Sequence, residues 1–235
     1  INVSTNGDAY SVAVSGNYAY VADYDYGLAI IDISEPSNPG SPSYISIPNA
    51  YDVEIDGTNA FVTTWNTGIT VVDISDPTNP SISDSQSLAN PNGLAIHGDY
   101  AYVADGWAGL AVIDISDASN LGIPSYVATT SARDVVIVDH YAYIADESGG
   151  LASVNISDPS NLGLATYTEI SGDAWGIAMD GAYAYMAATD AGVAIVATNS
   201  AISDPSGNNA VLTLPLPGES GSLSYSKDLI VDTTA

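Results

Sequence analysis

The sequence is poor in basic residues and has no cysteine. Its 235 residues include 28 Asp and Glu but only 2 Lys and Arg, which gives a formal net charge of −26. Nucleic acid and anionic membranes need clustered basic side chains, so neither is an expected partner. Without cysteine there are no disulfide bonds, thiol nucleophiles, or cysteine-ligated zinc or iron–sulfur sites.

Long apolar runs are also missing. No run approaches the roughly 18 residues of a membrane span, so direct membrane insertion is not expected. The chain is nevertheless 46% hydrophobic, which excludes wholesale disorder. Because the sequence begins at Ile1 with neither Met nor a signal peptide, we expect a mature or excised chain.

A repeat with a period of about 41 residues organises the chain. The segment Tyr18–Asp23 reads YAYVAD, and it returns unchanged or with conservative changes along the sequence. A second marker, Asp32-Ile33-Ser34, recurs in phase with it. The copies of the first marker begin at Tyr18, Asn59, Tyr100, Tyr141 and Tyr183. Two markers in phase indicate a repeat architecture.

Each repeat contains four short runs rich in Val, Ile and Tyr, separated by turn residues. Such runs favour β-strands. Four antiparallel strands in about 40 to 45 residues is the size of one β-propeller blade. We therefore predict an all-β fold, a five-bladed propeller of four-stranded antiparallel blades. In the first repeat the predicted strands are Tyr10–Val14, Tyr18–Ala22, Leu28–Ile33 and Ser43–Ile47.

The predicted propeller spans residues 1–217, with repeats at 8–48, 49–89, 90–129, 130–171 and 172–217, and the tail 218–235 contains strand-like segments. Two segments compete to close the ring. Asn2–Ser4 could act as an N-terminal closing strand, yet residues 210–215 also follow the fifth repeat as a fourth strand would. Alternatively, the chain is part of a larger propeller or of a multi-chain array that self-assembles through terminal strands.

The third strands and the turns after them share one motif. It reads LAIIDISEPSNP at Leu28–Pro39 and recurs at Gly68–Pro80, Gly109–Asn120 and Gly150–Asn161. Over residues 9–217 the chain thereby resembles the LVIVD-repeat proteins, although the fifth repeat departs from the motif at Gly192–Thr198. The resemblance implies a secreted or surface-associated β-propeller of bacteria or archaea. It supplies no catalytic residue.

Aromatic residues recur at one face of the predicted blades. Loops leading into first strands and loops joining second to third strands share that face, which should ring the mouth of the central channel and hold all three Trp and Arg133. Trp and Tyr can stack on sugars, and Arg can bind a carboxylate. The candidate ligand-binding residues are Tyr10, Tyr24, Tyr26, Tyr51, Trp65, Asn92, Trp107, Arg133 and Trp175.

These patterns predict a non-enzymatic recognition or adhesion propeller, extracellular or at the cell surface, that binds a glycan or a surface protein. In a sugar complex Trp175 and Tyr51 would stack, while Arg133, Asn92 and Asp52 or Asp134 would bind hydroxyl groups. The same aromatic residues could instead only cover the ends of the blades. A structural subunit of a surface layer or fibre is the first alternative. A glycosidase-like or lyase-like enzyme using Asp52, Asp134 and Asp173 is the second.

Acidic residues recur in the turns, where local hydrogen bonding explains most of them. Calcium is the possible cofactor, and its weak candidate ligands are Asp23, Asp25, Asp146 and Glu147. If calcium or screening by salt matters, the melting temperature should rise with either, and an unchanged melting temperature after chelation would contradict specific calcium binding. His97 and His140 fall in turns on the face opposite the aromatic residues.

Overall fold

The computed structural model describes residues 2–198 and 211–214 of the chain. Within these residues the fold consists of β-strands and turns. It includes no helix, and therefore none long and apolar enough to cross a membrane. By contact density the chain divides into two compact units, Ile1–Ala128 and Thr129–Ala235.

In the part of the chain that the structure describes, twenty strands form five antiparallel sheets, each of four strands in chain order. The first unit contains three sheets. They comprise β1 (Ala9–Ser15), β2 (Tyr18–Asp23), β3 (Gly27–Asp32) and β4 (Ser43–Ile45); β5 (Ala50–Asp56), β6 (Asn59–Thr64), β7 (Gly68–Asp73) and β8 (Ser81–Ser87); and β9 (Leu94–His97), β10 (Tyr100–Ala104), β11 (Leu110–Asp114) and β12 (Ser125–Val127).

The second unit contains the fourth and fifth sheets. They comprise β13 (Asp134–Val138), β14 (Tyr141–Ala145), β15 (Leu151–Asn155) and β16 (Thr166–Thr168); and β17 (Ala174–Asp180), β18 (Tyr183–Ala188), β19 (Gly192–Ala197) and β20 (Val211–Leu214). The predicted all-β propeller of five four-stranded antiparallel blades is confirmed. Its first repeat matches the predicted strands to within two residues at each end.

Apolar residues on both faces of the strands hold neighbouring sheets together. In β6, Phe61 packs toward the third sheet and Val62 packs toward the first, and both are fully buried. In the second unit, Tyr143 and Leu151 of the fourth sheet pack against Met186 and Val196 of the fifth. Because a sheet buried on both faces shows no apolar–polar alternation, the middle strands read as continuous hydrophobic runs.

The fourth strand of the fifth sheet is β20, which pairs with β19 from Val193↔Leu214 to Val196↔Val211. This is the segment that competed with Asn2–Ser4 for that position. Asn2–Ser4 forms no strand; it lies against residues 37–42, and Val3 packs on Val21, Ala29 and Ile31 of the first sheet. The strand-like segments of the tail 218–235 lie outside the described residues.

A glycine with positive φ lies at the beginning of every third strand, as the first residue of β3, β7 and β19 and immediately before β11 and β15. Its φ ranges from 76° at Gly150 to 145° at Gly68. At Gly27, Gly68 and Gly150 the backbone near the fourth strand passes very close, and a Cβ atom on Gly150 would lie 2.6 Å from the carbonyl oxygen of Thr168. Glycine is needed because it alone combines this conformation with this approach. The five residues are Gly27, Gly68, Gly109, Gly150 and Gly192.

Candidate functional site

One edge of each sheet carries most of the candidate residues. First strands begin, second strands end and third strands begin at this edge, which we call the aromatic edge. In three sheets a β-bulge lies at the beginning of the first strand, where the register shifts between Ala9 and Ser11, Ala50 and Asp52, and Ala174 and Gly176. The bulged residues are Tyr10, Tyr51 and Trp175. Since bulges redirect side chains, the backbone itself presents these three aromatic groups.

Four aromatic rings of the first unit form a continuous row. Tyr10 is at its centre, with ring centroids 5.0 Å from Tyr51 and 5.4 Å from Tyr24. Tyr24 in turn lies 6.2 Å from Trp65. The rings are tilted against one another and Tyr10 and Trp65 are well exposed, at 54% and 42%. We call Tyr51, Tyr10, Tyr24 and Trp65 the aromatic row.

Asn90, a residue that sequence reasoning missed, fixes one end of the aromatic row. Its side-chain oxygen accepts a hydrogen bond of 2.5 Å from Nε1 of Trp65. Asn90 is buried and lies over Gly106, where a Cβ atom would come within 2.7 Å of Nδ2. The signal available in the sequence was Gly106, which leaves room for the Asn90 side chain.

Asn92 does not extend the aromatic row. It is 4% exposed, and its Nδ2 donates to the carbonyl oxygen of Asn90 at 2.9 Å. Its own carbonyl oxygen accepts a hydrogen bond of 2.7 Å from Oγ1 of Thr63. The expectation that Asn92 lies on an open rim therefore differs from the structure, in which the residue joins the second and third sheets.

The remaining aromatic candidates of the first unit lie outside the row. Tyr26 is half exposed, with its ring 5.9 Å from that of Tyr44 in β4. Trp107, in the loop between β10 and β11, is the most exposed tryptophan at 67%. Both lie at the aromatic edge of their own sheets, as predicted from the alignment of the repeats.

In the second unit, Arg133, Glu147 and Trp175 contact one another. The guanidinium carbon of Arg133 lies 4.6 Å from the ring centroid of Trp175, a cation–π contact. Nε of Arg133 donates to Oε1 of Glu147 at 2.7 Å, and Nη2 contacts the same oxygen. Arg133 therefore already has a carboxylate partner within the chain, a pairing that sequence reasoning did not foresee.

Glu147 occupies this position with a φ of 37°, a left-handed conformation that is unfavourable for a glutamate. The equivalent residue one repeat earlier is Gly106, whose φ is 52°. The Glu147 backbone also pairs with Ala174, next to Trp175. Glu147 therefore forms its ion pair with Arg133 from a backbone conformation that glycine would adopt more easily.

Asp52 and Asp134 bind backbone groups of the neighbouring sheet. Oδ2 of Asp52 accepts the N–H of Leu94 at 2.8 Å, and Oδ2 of Asp134 accepts the N–H of Ile177 at 2.9 Å. The Oδ1 atoms accept from the next residue along the chain, Val53 or Val135. These carboxylates hold adjacent first strands together. Asp173, the third carboxylate of the enzyme alternative, is exposed, and its N–H donates to Thr189.

Buried aspartates at the ends of second strands hold the loops of the aromatic edge. Asp146 accepts the N–H groups of Thr130 and Ser131 at 2.8 and 2.7 Å. Asp105 likewise accepts those of Ala89 and Asn90. Burial raises the pKa of Asp105, against the opposing effect of these donors. In the second sheet Thr64 occupies the position of these aspartates. The residue there that is equivalent to Ala89 is Pro48, which has no N–H group for a carboxylate to accept.

The acidic turn residues at the opposite edge bind within their own turns, as predicted. Oδ1 of Asp76 accepts hydrogen bonds from Oγ1 and the N–H of Thr78 at 2.6 and 3.0 Å, and these two bonds lower the pKa of Asp76. Asp117 and Asp158 repeat the arrangement with Ser119 and Ser160. Residues 2–198 and 211–214 contain no group of three His, Asp or Glu side chains that could hold a metal ion. His97 and His140 are exposed near turns of this edge.

Comparisons with known proteins agree with this architecture. The LVIVD repeat profile matches the chain five times, at residues 6–43, 48–86, 90–129, 130–168 and 171–213. No curated protein matches the chain in sequence.

Among solved structures, the β-propeller domain of Myceliophteria thermophila Cps50 (Swd1) matches with a TM-score of 0.64 at 11% identity, covering 89% of this chain and 80% of that one. BamB from Moraxella catarrhalis matches with a TM-score of 0.60 at 16% identity, covering 89% and 67%. The computationally designed protein Ika8 matches with a TM-score of 0.63 at 11% identity, covering 90% and 70%. These structures support the fold, and the five profile matches show that this chain belongs to the LVIVD repeat family.

Proposed function

We propose that this chain is a non-enzymatic recognition propeller, extracellular or at the cell surface, that binds a glycan through the aromatic edge of its first unit. The observation that carries the proposal is the aromatic row. In it the rings of the bulged Tyr51 and Tyr10 are adjacent, and Tyr24 and Trp65 continue the row beyond Tyr10. Rings this exposed cost free energy in water unless a ligand covers them. Tyr and Trp are also the side chains that best combine an apolar face with a polar group.

Recognition fits the chemistry of the edge better than catalysis does. Glycosidases need paired carboxylates that are free to exchange protons or attack the sugar. Asp52 and Asp134 instead have both oxygens bound to backbone N–H groups. The enzyme alternative would require these structural bonds to break during each turnover. We therefore place ligand binding, and not hydrolysis, at this edge.

Binding of oligosaccharides to the wild-type chain, measured on a glycan array and then by calorimetry, tests the proposal. Tyr10→Ala should weaken binding about tenfold or more, because Tyr10 contacts two other rings of the row and a central aromatic group contributes most to binding. Trp65→Ala should weaken it similarly. Tyr183→Ala is the matched control, since Tyr183 is also an exposed tyrosine but begins β18 at the opposite edge.

Two results would overturn this function. If wild-type protein binds no glycan, the structural-subunit alternative is favoured. If Tyr183→Ala weakens binding as much as Tyr10→Ala does, the contact is not at the aromatic edge. Trp175→Ala and Arg133→Ala then report whether the second unit contributes, because both residues belong to that unit and contact each other.

A further inference from the structure

Two carboxylates, those of Asp23 and Asp25, lie against Gly7 in the segment that leads to Tyr10. The N–H of Gly7 donates to Oδ2 of Asp23 at 3.0 Å. The exposed Asp25 packs on the same glycine, where a Cβ atom would lie 2.9 Å from its Oδ2. Asp8, also exposed, follows Gly7, and its carbonyl oxygen accepts the N–H of Tyr24 at 2.9 Å. We call Asp8, Asp23 and Asp25 the acidic cluster.

Asp23 differs from its equivalents in the other repeats. Asp105 and Asp146 each use both oxygens to accept two backbone N–H groups. Asp23 accepts only one, and its Oδ1 is buried without a hydrogen-bond partner although the residue is 0% exposed. A buried carboxylate oxygen without a partner is costly. The acidic cluster therefore contains negative charge that the chain itself does not satisfy.

No basic side chain lies nearby in sequence to balance this charge. The only Lys and Arg of the chain are Arg133 and Lys227, so residues 1–128 contain neither. Of these two, Arg133 is paired with Glu147. Burial raises the pKa of Glu54, and the negative charge of Asp52, the residue after Tyr51, raises this pKa further. The surroundings of the aromatic row thus repel anions and attract cations.

We propose that the glycan recognised by the aromatic row is a polymer of amino sugars, whose ammonium groups lie against Asp8 and Asp25 while their rings stack on Tyr10 and Tyr24. This inference rests on the proposed function. The row presents the same pair of groups twice, since Tyr10 and Tyr51 are one repeat apart, as are Tyr24 and Trp65. A repeated surface suits a ligand that is itself a repeated ring. Aromatic faces also attract ammonium groups directly.

The test compares three oligosaccharides of equal length with chelator-treated full-length chain, by calorimetry at low and high salt. They are oligomers of glucosamine, of N-acetylglucosamine and of galacturonate, which are cationic, neutral and anionic at a mildly acidic pH that keeps the glucosamine amines protonated. We expect the glucosamine oligomer to bind at least about tenfold more tightly than the acetylated one, and the galacturonate oligomer not to bind. The tenfold difference should shrink at high salt because salt screens exposed charges.

Asp25→Asn combined with Asp8→Asn should remove most of the preference for glucosamine and leave binding of the neutral oligomer unchanged. Asp99→Asn is the control for charge alone, since Asp99 is exposed in the turn between β9 and β10 at the opposite edge. It should leave the preference intact.

The other possible outcomes contradict either the amino-sugar inference or the proposed function. Equal affinity for the glucosamine and acetylated oligomers contradicts the amino-sugar inference but leaves the proposed function standing, whereas failure of all three to bind contradicts the proposed function itself. Glucosamine binding that survives Tyr10→Ala would be simple charge attraction. A lysine peptide that binds as tightly as glucosamine would identify a basic protein as the partner, and calcium that displaces the oligomer would make the acidic cluster a metal site. Each of these three results overturns the inference.

Discussion

Gly68→Ala is expected to lower the free energy of unfolding by about 3 kcal/mol or more. Gly68 begins β7 with a φ of 145°, a conformation that residues with a side chain rarely adopt. A Cβ atom there would contact the carbonyl oxygen of Gln86 and lie 2.9 Å from its carbonyl carbon. Gln86 belongs to β8, whose backbone pairs with β7, so the strand cannot withdraw without losing that pairing. Urea unfolding followed by tryptophan fluorescence measures the effect.

Gly57→Ala is the matched control. Gly57 also has positive φ, at 56°, but nothing lies within 4 Å of the added Cβ atom. Only the conformational cost remains, and we expect a loss of about 1 kcal/mol. Equal losses in the two variants would mean that β7 and β8 do not approach as closely as the structure shows.

Gly68 also shows why the fold could be read from the sequence. The close approach of third and fourth strands occurs at Gly27, Gly68 and Gly150, and a glycine with positive φ recurs at the equivalent position of all five repeats. A constraint that recurs in this way is visible without structural knowledge, as are the turn residues Asp32 and Asp73. Segment 210–215 was recognised as a possible fourth strand on the same basis, and β20 forms there.

The candidate site was only partly predictable, because its contacts join residues that do not repeat. Alignment of the repeats placed Tyr10, Tyr51 and Trp175 at equivalent positions, but the bulges that present them follow from strand register. Asn92 occupies the same aligned position yet is buried, and its side chain donates to the carbonyl oxygen of Asn90. The pairing of Arg133 with Glu147 depends on a position that differs in every repeat, where the other residues are Tyr24, Trp65, Gly106 and Thr189. The periodicity of the sequence predicts the contacts that all repeats share. It does not predict contacts made by residues that differ from one repeat to the next.

Asp146→Ala should lower the free energy of unfolding by about 2–4 kcal/mol. The carboxylate is fully buried and accepts the N–H groups of Thr130 and Ser131. Removing it leaves both donors without their acceptor, and each buried donor without a partner costs about 1–3 kcal/mol. The loop that these residues hold leads directly to Arg133, so the cation–π contact with Trp175 should loosen as well. Equilibrium unfolding gives the free energy, and the wavelength of tryptophan emission, measured in a Trp65→Phe, Trp107→Phe background, reports the environment of Trp175.

The matched comparison is Asp23→Ala, for which we expect a loss of about half as much. Asp23 accepts one backbone N–H, from Gly7, and its buried Oδ1 has no partner that would be lost. Removing the carboxylate also eliminates the cost of the unpaired buried oxygen, and this effect offsets part of the lost bond. Measured in the absence of any ligand, a loss for Asp23→Ala as large as that for Asp146→Ala would contradict this expectation. It would mean that Oδ1 of Asp23 is already satisfied in the free protein, and that the acidic cluster has less charge to offer a cationic sugar.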